Sequence, residues 1–266
     1  MKRKKLYQVI IVAILFNPVT TAAKDNGEIR PDLSDFIELT VPHQSSPHPL
    51  AVLLPGCMGW HPHHQRWHED LLARGFATLQ IDSFGLNGLL DPIDLRRYVC
   101  SGLKVRWDQR ANDLRNALKK VFERPDISVT GGIIFGWSHG ASSSLEYILQ
   151  DNHSTSSDSK DDSLIFEAAF LFYPYCGPGT RWEPRKEVRA LDTIIFHGTQ
   201  DRITDPVQCK RRVNRLRESD IQIEFFPLEG SGHWFDNHRE PRAYNKGSTT
   251  KVKSLINEKL KILTDH

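Results

Sequence analysis

The chain has 266 residues, of which 26% are charged and 39% hydrophobic, with 35 Lys and Arg against 33 Asp and Glu. That balance lacks the strongly basic face a nucleic-acid partner requires. Beyond the first turns of sequence, no segment reaches the roughly 20 apolar residues of a membrane-spanning helix, so a polytopic membrane protein is excluded.

Lys2, Arg3, Lys4 and Lys5 open the chain, Leu6–Phe16 is apolar except at Gln8, and Thr20-Thr21-Ala22-Ala23 are small. A positive start, a short apolar core and small residues at its end predict a secretory signal peptide over residues 1–23. Removing its four cations from the count leaves 31 basic against 33 acidic side chains. Residues 24–266 are of a size expected for one α/β domain, exported to the periplasm or secreted, with no stable membrane span after leader cleavage. Cys57, Cys100, Cys176 and Cys209 all lie in this part. An even number of cysteines in an exported chain predicts two disulfides, with three possible pairings. A structural zinc site usually shows a close C-x-x-C pair, and the sequence has none.

Along the mature chain, residues 24–49 are polar and Pro- and His-rich, with one expected strand at Phe36–Val41. Short apolar runs then recur at Leu50–Leu54, Ala77–Ile81, Gly132–Phe135, Ala168–Tyr173, Thr193–Phe196 and Ile221–Phe226. Helix-length segments separate them. Trp107–Glu123 places Ala111, Leu114, Leu118, Val121 and Phe122 on one face. Thr204-Asp205-Pro206 reads as an N-cap with Pro at the first helical position. A last helix begins near Ser248. This rhythm predicts βαβ units and a mostly parallel central sheet flanked by helices. His153–Ser163 is almost wholly polar and predicts a surface loop.

The strongest local signal is Gly136-Trp137-Ser138-His139-Gly140, between an apolar run and an expected helix. A strand, G-x-S-x-G and a helix in succession form a nucleophile elbow, which exposes the serine at the top of the sheet. A serine hydroxyl needs a base, and the base needs an acid to orient it. In this arrangement they follow as acid, then histidine. Asp201 ends the turn after the Thr193–Phe196 run, and His233 lies in the loop after the next run, so Ser138, Asp201 and His233 fall in order at strand ends. Asp205 is better explained as a helix cap, His197 as a packed residue, His238 as a solvated one, and His139 follows the serine too closely to act as its base. The glycine-rich turn Pro55-Gly56-Cys57-Met58-Gly59-Trp60 is the candidate oxyanion loop. Its donors are expected to be the backbone N–H of Cys57 or Met58, joined by that of His139. The cluster His61-Pro62-His63-His64…His68 places His64 and His68 four apart, but no convincing third ligand accompanies them, so no metal is assigned. Trp60, Phe84, Trp137, Tyr175, Trp182 and Trp234 stand near expected strand ends as either pocket or packing residues.

These pieces resemble the dienelactone hydrolase family of the α/β-hydrolase fold. The resemblance rests on Pro55-Gly56-Cys57-Met58-Gly59, Gln80-Ile81-Asp82-Ser83-Phe84-Gly85, Gly136-Trp137-Ser138-His139-Gly140, His197-Gly198-Thr199-Gln200-Asp201 and Gly230-Ser231-Gly232-His233, and covers about residues 50–235. It implies a cofactor-independent hydrolase of small-molecule esters or lactones, working through a nucleophile–His–Asp triad. The family's name-giving enzymes use cysteine where Ser138 stands, which favours a general carboxylic-ester hydrolase here. In such a sheet the expected disulfides are Cys57–Cys100 and Cys176–Cys209. Two other readings are a serine peptidase with the same triad and a non-catalytic binding protein on a hydrolase scaffold.

Overall fold

The computed structural model describes residues 24–25, 28–29, 31–43, 47–128, 131–149, 166–180, 182 and 191–264. The expected leader (1–23) and the expected loop at His153–Ser163 lie outside the described residues. Seven strands form one sheet: β1 (Ile37–Thr40), β2 (Leu50–Leu54), β3 (Ala77–Ile81), β4 (Gly132–Trp137), β5 (Phe166–Phe172), β6 (Asp192–Gly198) and β7 (Ile223–Leu228). Their order is β1-β3-β2-β4-β5-β6-β7, with β1 antiparallel to β3 and every other pair parallel. A small antiparallel ribbon, Lys24–Asp25 with Glu28–Ile29, stands apart from this sheet.

The sequences of the strands explain their places. Every residue of β2 (LAVLL) and β4 (GIIFGW) is buried, as expected for central parallel strands covered on both faces. Alternation along β2 sends Leu50, Val52 and Leu54 into one core and Ala51 and Leu53 into the other. Helices α2 (Trp107–Val121), α3 (His139–Leu149) and α4 (Pro206–Arg217) pack in the first core; α1 (Pro62–Ala73) and α5 (Lys246–Thr264) pack in the second. The sheet is therefore flanked by helices on both faces. Asp205 caps α4 by accepting from the N–H of Val207 at 2.9 Å, with Pro206 following it. The chain leaves β2 for β3 on one side, then returns to place β4 on the other side of β2. The loops after β2 and β4 thus part at their C-terminal ends, the place where open α/β sheets open a crevice.

Candidate active site

Ser138 sits directly between β4 and α3 with φ of 51°, a left-handed conformation rare for a residue with a side chain. Its neighbours make that turn possible. A Cβ at Gly136 would lie 2.6 Å from the Cα of Ala141, and one at Gly140 would collide with the carbonyls of Leu54 and Pro55. The N–H of Ser138 donates to the carbonyl of Phe172 at 2.8 Å, fastening the elbow to β5.

Three strand ends bring their side chains together there. The Nε2 of His233 lies 3.1 Å from the Oγ of Ser138, and its Nδ1 lies 2.7 Å from Oδ2 of Asp201. A carboxylate only accepts, so Nδ1 carries the proton and Nε2 is free to accept from the serine hydroxyl. Asp201 is fully engaged: Oδ1 accepts from the N–H of Ile203 at 2.8 Å and of Thr204 at 2.9 Å, and Oδ2 from the Thr204 hydroxyl at 2.8 Å. Burial opposes ionisation of Asp201, but the hydrogen bond and charge of His233 and the two amides together hold it below the usual carboxylate range. Ser138 and His233 are each 9% exposed, enough for a small molecule to reach them from one side.

The turn after β2 faces this chain of groups. A Cβ at Gly56 would sit 3.5 Å from the Cβ of Ser138, and Cys57, Met58 and His139 all line the adjoining cavity. His139 is the first residue of α3, so its N–H has no partner within the helix. Arg110 on α2 links the two segments: one Nη1 donates to the carbonyl of Pro55 at 3.0 Å and to Nδ1 of His139 at 3.1 Å. The guanidinium is 1% exposed, lies over the ring of Phe84, and is lowered by burial to a pKa of about 10, so it remains a cation. Burial and that cation hold the His139 imidazole far below its usual range, in the neutral form that accepts. The turn is also tied by the Cys57–Cys100 disulfide, and Cys176–Cys209 ties the loop after β5 to α4.

A second carboxylate lies behind the site. Asp236 accepts from the indole N–H of Trp137 at 2.9 Å and from the hydroxyl of Tyr173 at 2.8 Å. The Tyr173 ring is 4.4 Å from that of His233. Neither Asp236 nor Arg110 belongs to a local motif; each follows only from packing. Thr204 stands in the expected capping cluster, yet its hydroxyl serves Asp201.

The cavity over Ser138 measures about 470 Å³. Of the aromatic candidates, Trp137, Tyr175 and Trp234 line it, together with Trp107. Trp107 stacks between His139 and Tyr175, at 5.4 and 5.2 Å. Phe84 lies under Arg110, Trp182 is buried beneath Arg212, and Trp60 packs against the second core. His197 is completely buried in packing. His238 is partly exposed and is followed by the exposed Arg239 and Glu240. His61, His63 and His64 line the cavity, and His68 turns away to the Thr78 hydroxyl at 2.9 Å. Among the described residues, no group of three or more His, Cys, Asp or Glu is arranged to hold a metal ion.

No protein-family model matches the chain, and no curated protein matches it in sequence. Solved structures do match. A candidate dienelactone hydrolase from Klebsiella pneumoniae subsp. pneumoniae superposes with a TM-score of 0.67 at 16% identity, covering 85% of this chain and 92% of that one. A dienelactone hydrolase-like promiscuous phosphotriesterase from metagenomic libraries gives 0.59 at 15% identity, with coverage of 86% and 99%. A thermophilic esterase from Thermogutta terrifontis, bound to propionate, gives 0.59 at 17% identity, with coverage of 86% and 89%. With these likenesses, the seven-stranded, mostly parallel sheet and its flanking helices identify the architecture: the chain has the α/β-hydrolase fold in the form seen in dienelactone hydrolase-like proteins.

Proposed function

We propose that the protein is a serine hydrolase of small carboxylic esters or lactones, with Ser138 as nucleophile, His233 as general base and acid, and Asp201 as the group that orients His233. The observation that carries this reading is the unbroken hydrogen-bonded chain from Ser138 through His233 to Asp201, set against a cavity of about 470 Å³. As Oγ attacks the ester carbonyl, its proton passes to Nε2 of His233, and Asp201 steadies the imidazolium. The backbone N–H of His139 and those of the Cys57–Met58 turn receive the oxyanion. His233 then returns the proton to the departing alcohol, and water, deprotonated by the same imidazole, releases the acid from Ser138.

The likeness to an esterase bound to propionate supports a small acyl group as substrate. In the same reading residues 24–266 form one domain, exported behind a cleaved leader; two disulfides are compatible with that location. The test is turnover of short p-nitrophenyl esters by the oxidised protein. Ser138→Ala and His233→Ala should each lose at least about 10³-fold in kcat. Cleavage of peptides in preference to esters would replace this reading with a peptidase, and absence of both activities would favour a binding protein.

A further inference from the structure

The large aliphatic side chains that stay exposed among the described residues are Leu90, Ile93, Leu103, Ile203 and Val207, each between 55% and 76% exposed. All five fall on two segments. One joins β3 to α2 and includes residues 85–106; the other joins β6 to α4 and reaches residue 207. Both form the cavity wall, the first through Arg96, Cys100 and Ser101, the second through Ile203 and Thr204. The exposed residues therefore sit on the two segments that help to wall the cavity, Ile203 lining it directly.

Their exposure is built into the fold. Within the first segment, Phe84, Leu89, Leu95, Val99 and Val105 already form a small buried core, and Cys100 is fixed to Cys57. On the second, Cys209 of α4 is fixed to Cys176. Leu90, Ile93 and Leu103 are left outside a satisfied core rather than lost from a frayed one. Clustered apolar side chains held in water in this way mark an interaction surface.

The charges interleaved with them indicate the partner. Arg96, Arg97, Arg202, Lys210 and Arg211 are exposed, and among the described residues none has an ion-pair partner. The carboxylates of Asp91 and Asp205 are occupied in capping Ile93 and Val207, and Asp201 is buried against His233. The other acids on these stretches are Asp94 and Asp82, the latter accepting from the N–H groups of Phe84 and Gly85. Among the described residues no helix is long and apolar enough to cross a membrane. Aliphatic side chains mixed with free cations suit the headgroup boundary of an anionic bilayer.

We propose that these two segments of the cavity wall dock on an anionic phospholipid surface, with Leu90, Ile93, Leu103, Ile203 and Val207 entering the headgroup region and the five cations meeting phosphates. Docking in this orientation brings the cavity wall to the lipid. It does not depend on the chemistry of Ser138.

The test is co-sedimentation of the oxidised full chain with vesicles of equal phosphatidylglycerol and phosphatidylcholine, compared with phosphatidylcholine alone. The protein should partition at least about tenfold more strongly onto the anionic vesicles and leave them in 0.5 M salt. Leu90→Ser/Ile93→Ser/Leu103→Ser/Val207→Ser should reduce that binding at least about tenfold while keeping its turnover of a soluble ester, which shows that it folds. Ser138→Ala should bind as the parent does, so loss of the hydrolase reading would leave this one standing. Equal binding to both vesicle types, equal binding by the quadruple variant, or a salt-resistant dimer that the variant dissociates would each overturn the proposal.

Discussion

Trp137 donates its indole N–H to Asp236 at 2.9 Å, joining the residue before Ser138 to the loop that carries His233. The same carboxylate takes the Tyr173 hydroxyl, whose ring packs on His233. Asp236 therefore ties the turn at Ser138 to the loop that carries His233. Asp236→Ala leaves two buried donors without an acceptor, at a cost of about 1–3 kcal/mol each. Urea unfolding should show a loss of about 2–6 kcal/mol, and Trp137→Phe in the same background should recover part of it.

Arg110 reaches the Pro55 carbonyl and His139 with a single nitrogen, so it aligns both halves of the proposed oxyanion hole. Arg110→Met keeps a stem of similar length and removes the charge and both hydrogen bonds. Oxyanion stabilisation exists only in the transition state. Steady-state kinetics should therefore show kcat falling by about 10² with KM changed less than threefold. A change in KM alone would contradict this role.

Acid should weaken the fold from near neutrality. Burial first, and neighbouring positive charge at His64 and His139, hold the imidazoles of His63, His64, His139 and His197 below their usual value. The unfolded chain binds protons at these positions before the folded one does, so stability falls as pH drops below about 6.5. Each such group contributes up to about 1.4 kcal/mol per pH unit until its own folded-state value is reached. Asp201 is shifted down as well, and acts in the same sense at lower pH: its contribution is present above about pH 4 and disappears as pH falls through its lowered value. Urea midpoints measured from pH 7.5 to 5 should decline, and His64→Asn should flatten the slope.

The disulfides close sequence separations of 43 and 33 residues. On loop-closure entropy each limits the unfolded chain by about 4 kcal/mol. Cys57→Ser/Cys100→Ser also frees the turn opposite Ser138, so it should lose both stability and kcat. Cys176→Ser/Cys209→Ser should lose stability by a similar amount with a smaller effect on kcat. Thermal melts and ester turnover on both pairs separate the two effects.

Much of this site is written in local sequence. Short apolar runs bounded by turns match β2 and β3 to the residue: β2 is apolar throughout, and β3 (ATLQI) alternates Ala77, Leu79 and Ile81 with Thr78 and Gln80. The other strands differ at their ends: Gly136 and Trp137 continue β4 because they pair with Leu171 and Phe172, β1 is confined to Ile37–Thr40 within the expected Phe36–Val41, and β7 runs from Ile223 to Leu228, two residues later than the expected Ile221–Phe226. The order of Ser138, Asp201 and His233 was readable because each stands in a turn after a strand. Helix α1 has no comparable pattern: its sequence, PHHQRWHEDLLA, buries His63, His64 and His68 beside Trp67 and Leu71. Arg110 and Asp236 were hidden for a related reason, since a charge in sequence reads as surface, and only packing shows these two to be buried and bonded.

The most direct measurement is peptide mapping of the oxidised protein after reaction with a fluorophosphonate probe. A single adduct on Ser138, absent from Ser138→Ala and strongly slowed in His233→Ala, is the predicted result. An adduct on another residue, or none on folded protein, would contradict the assignment of Ser138 as an activated nucleophile.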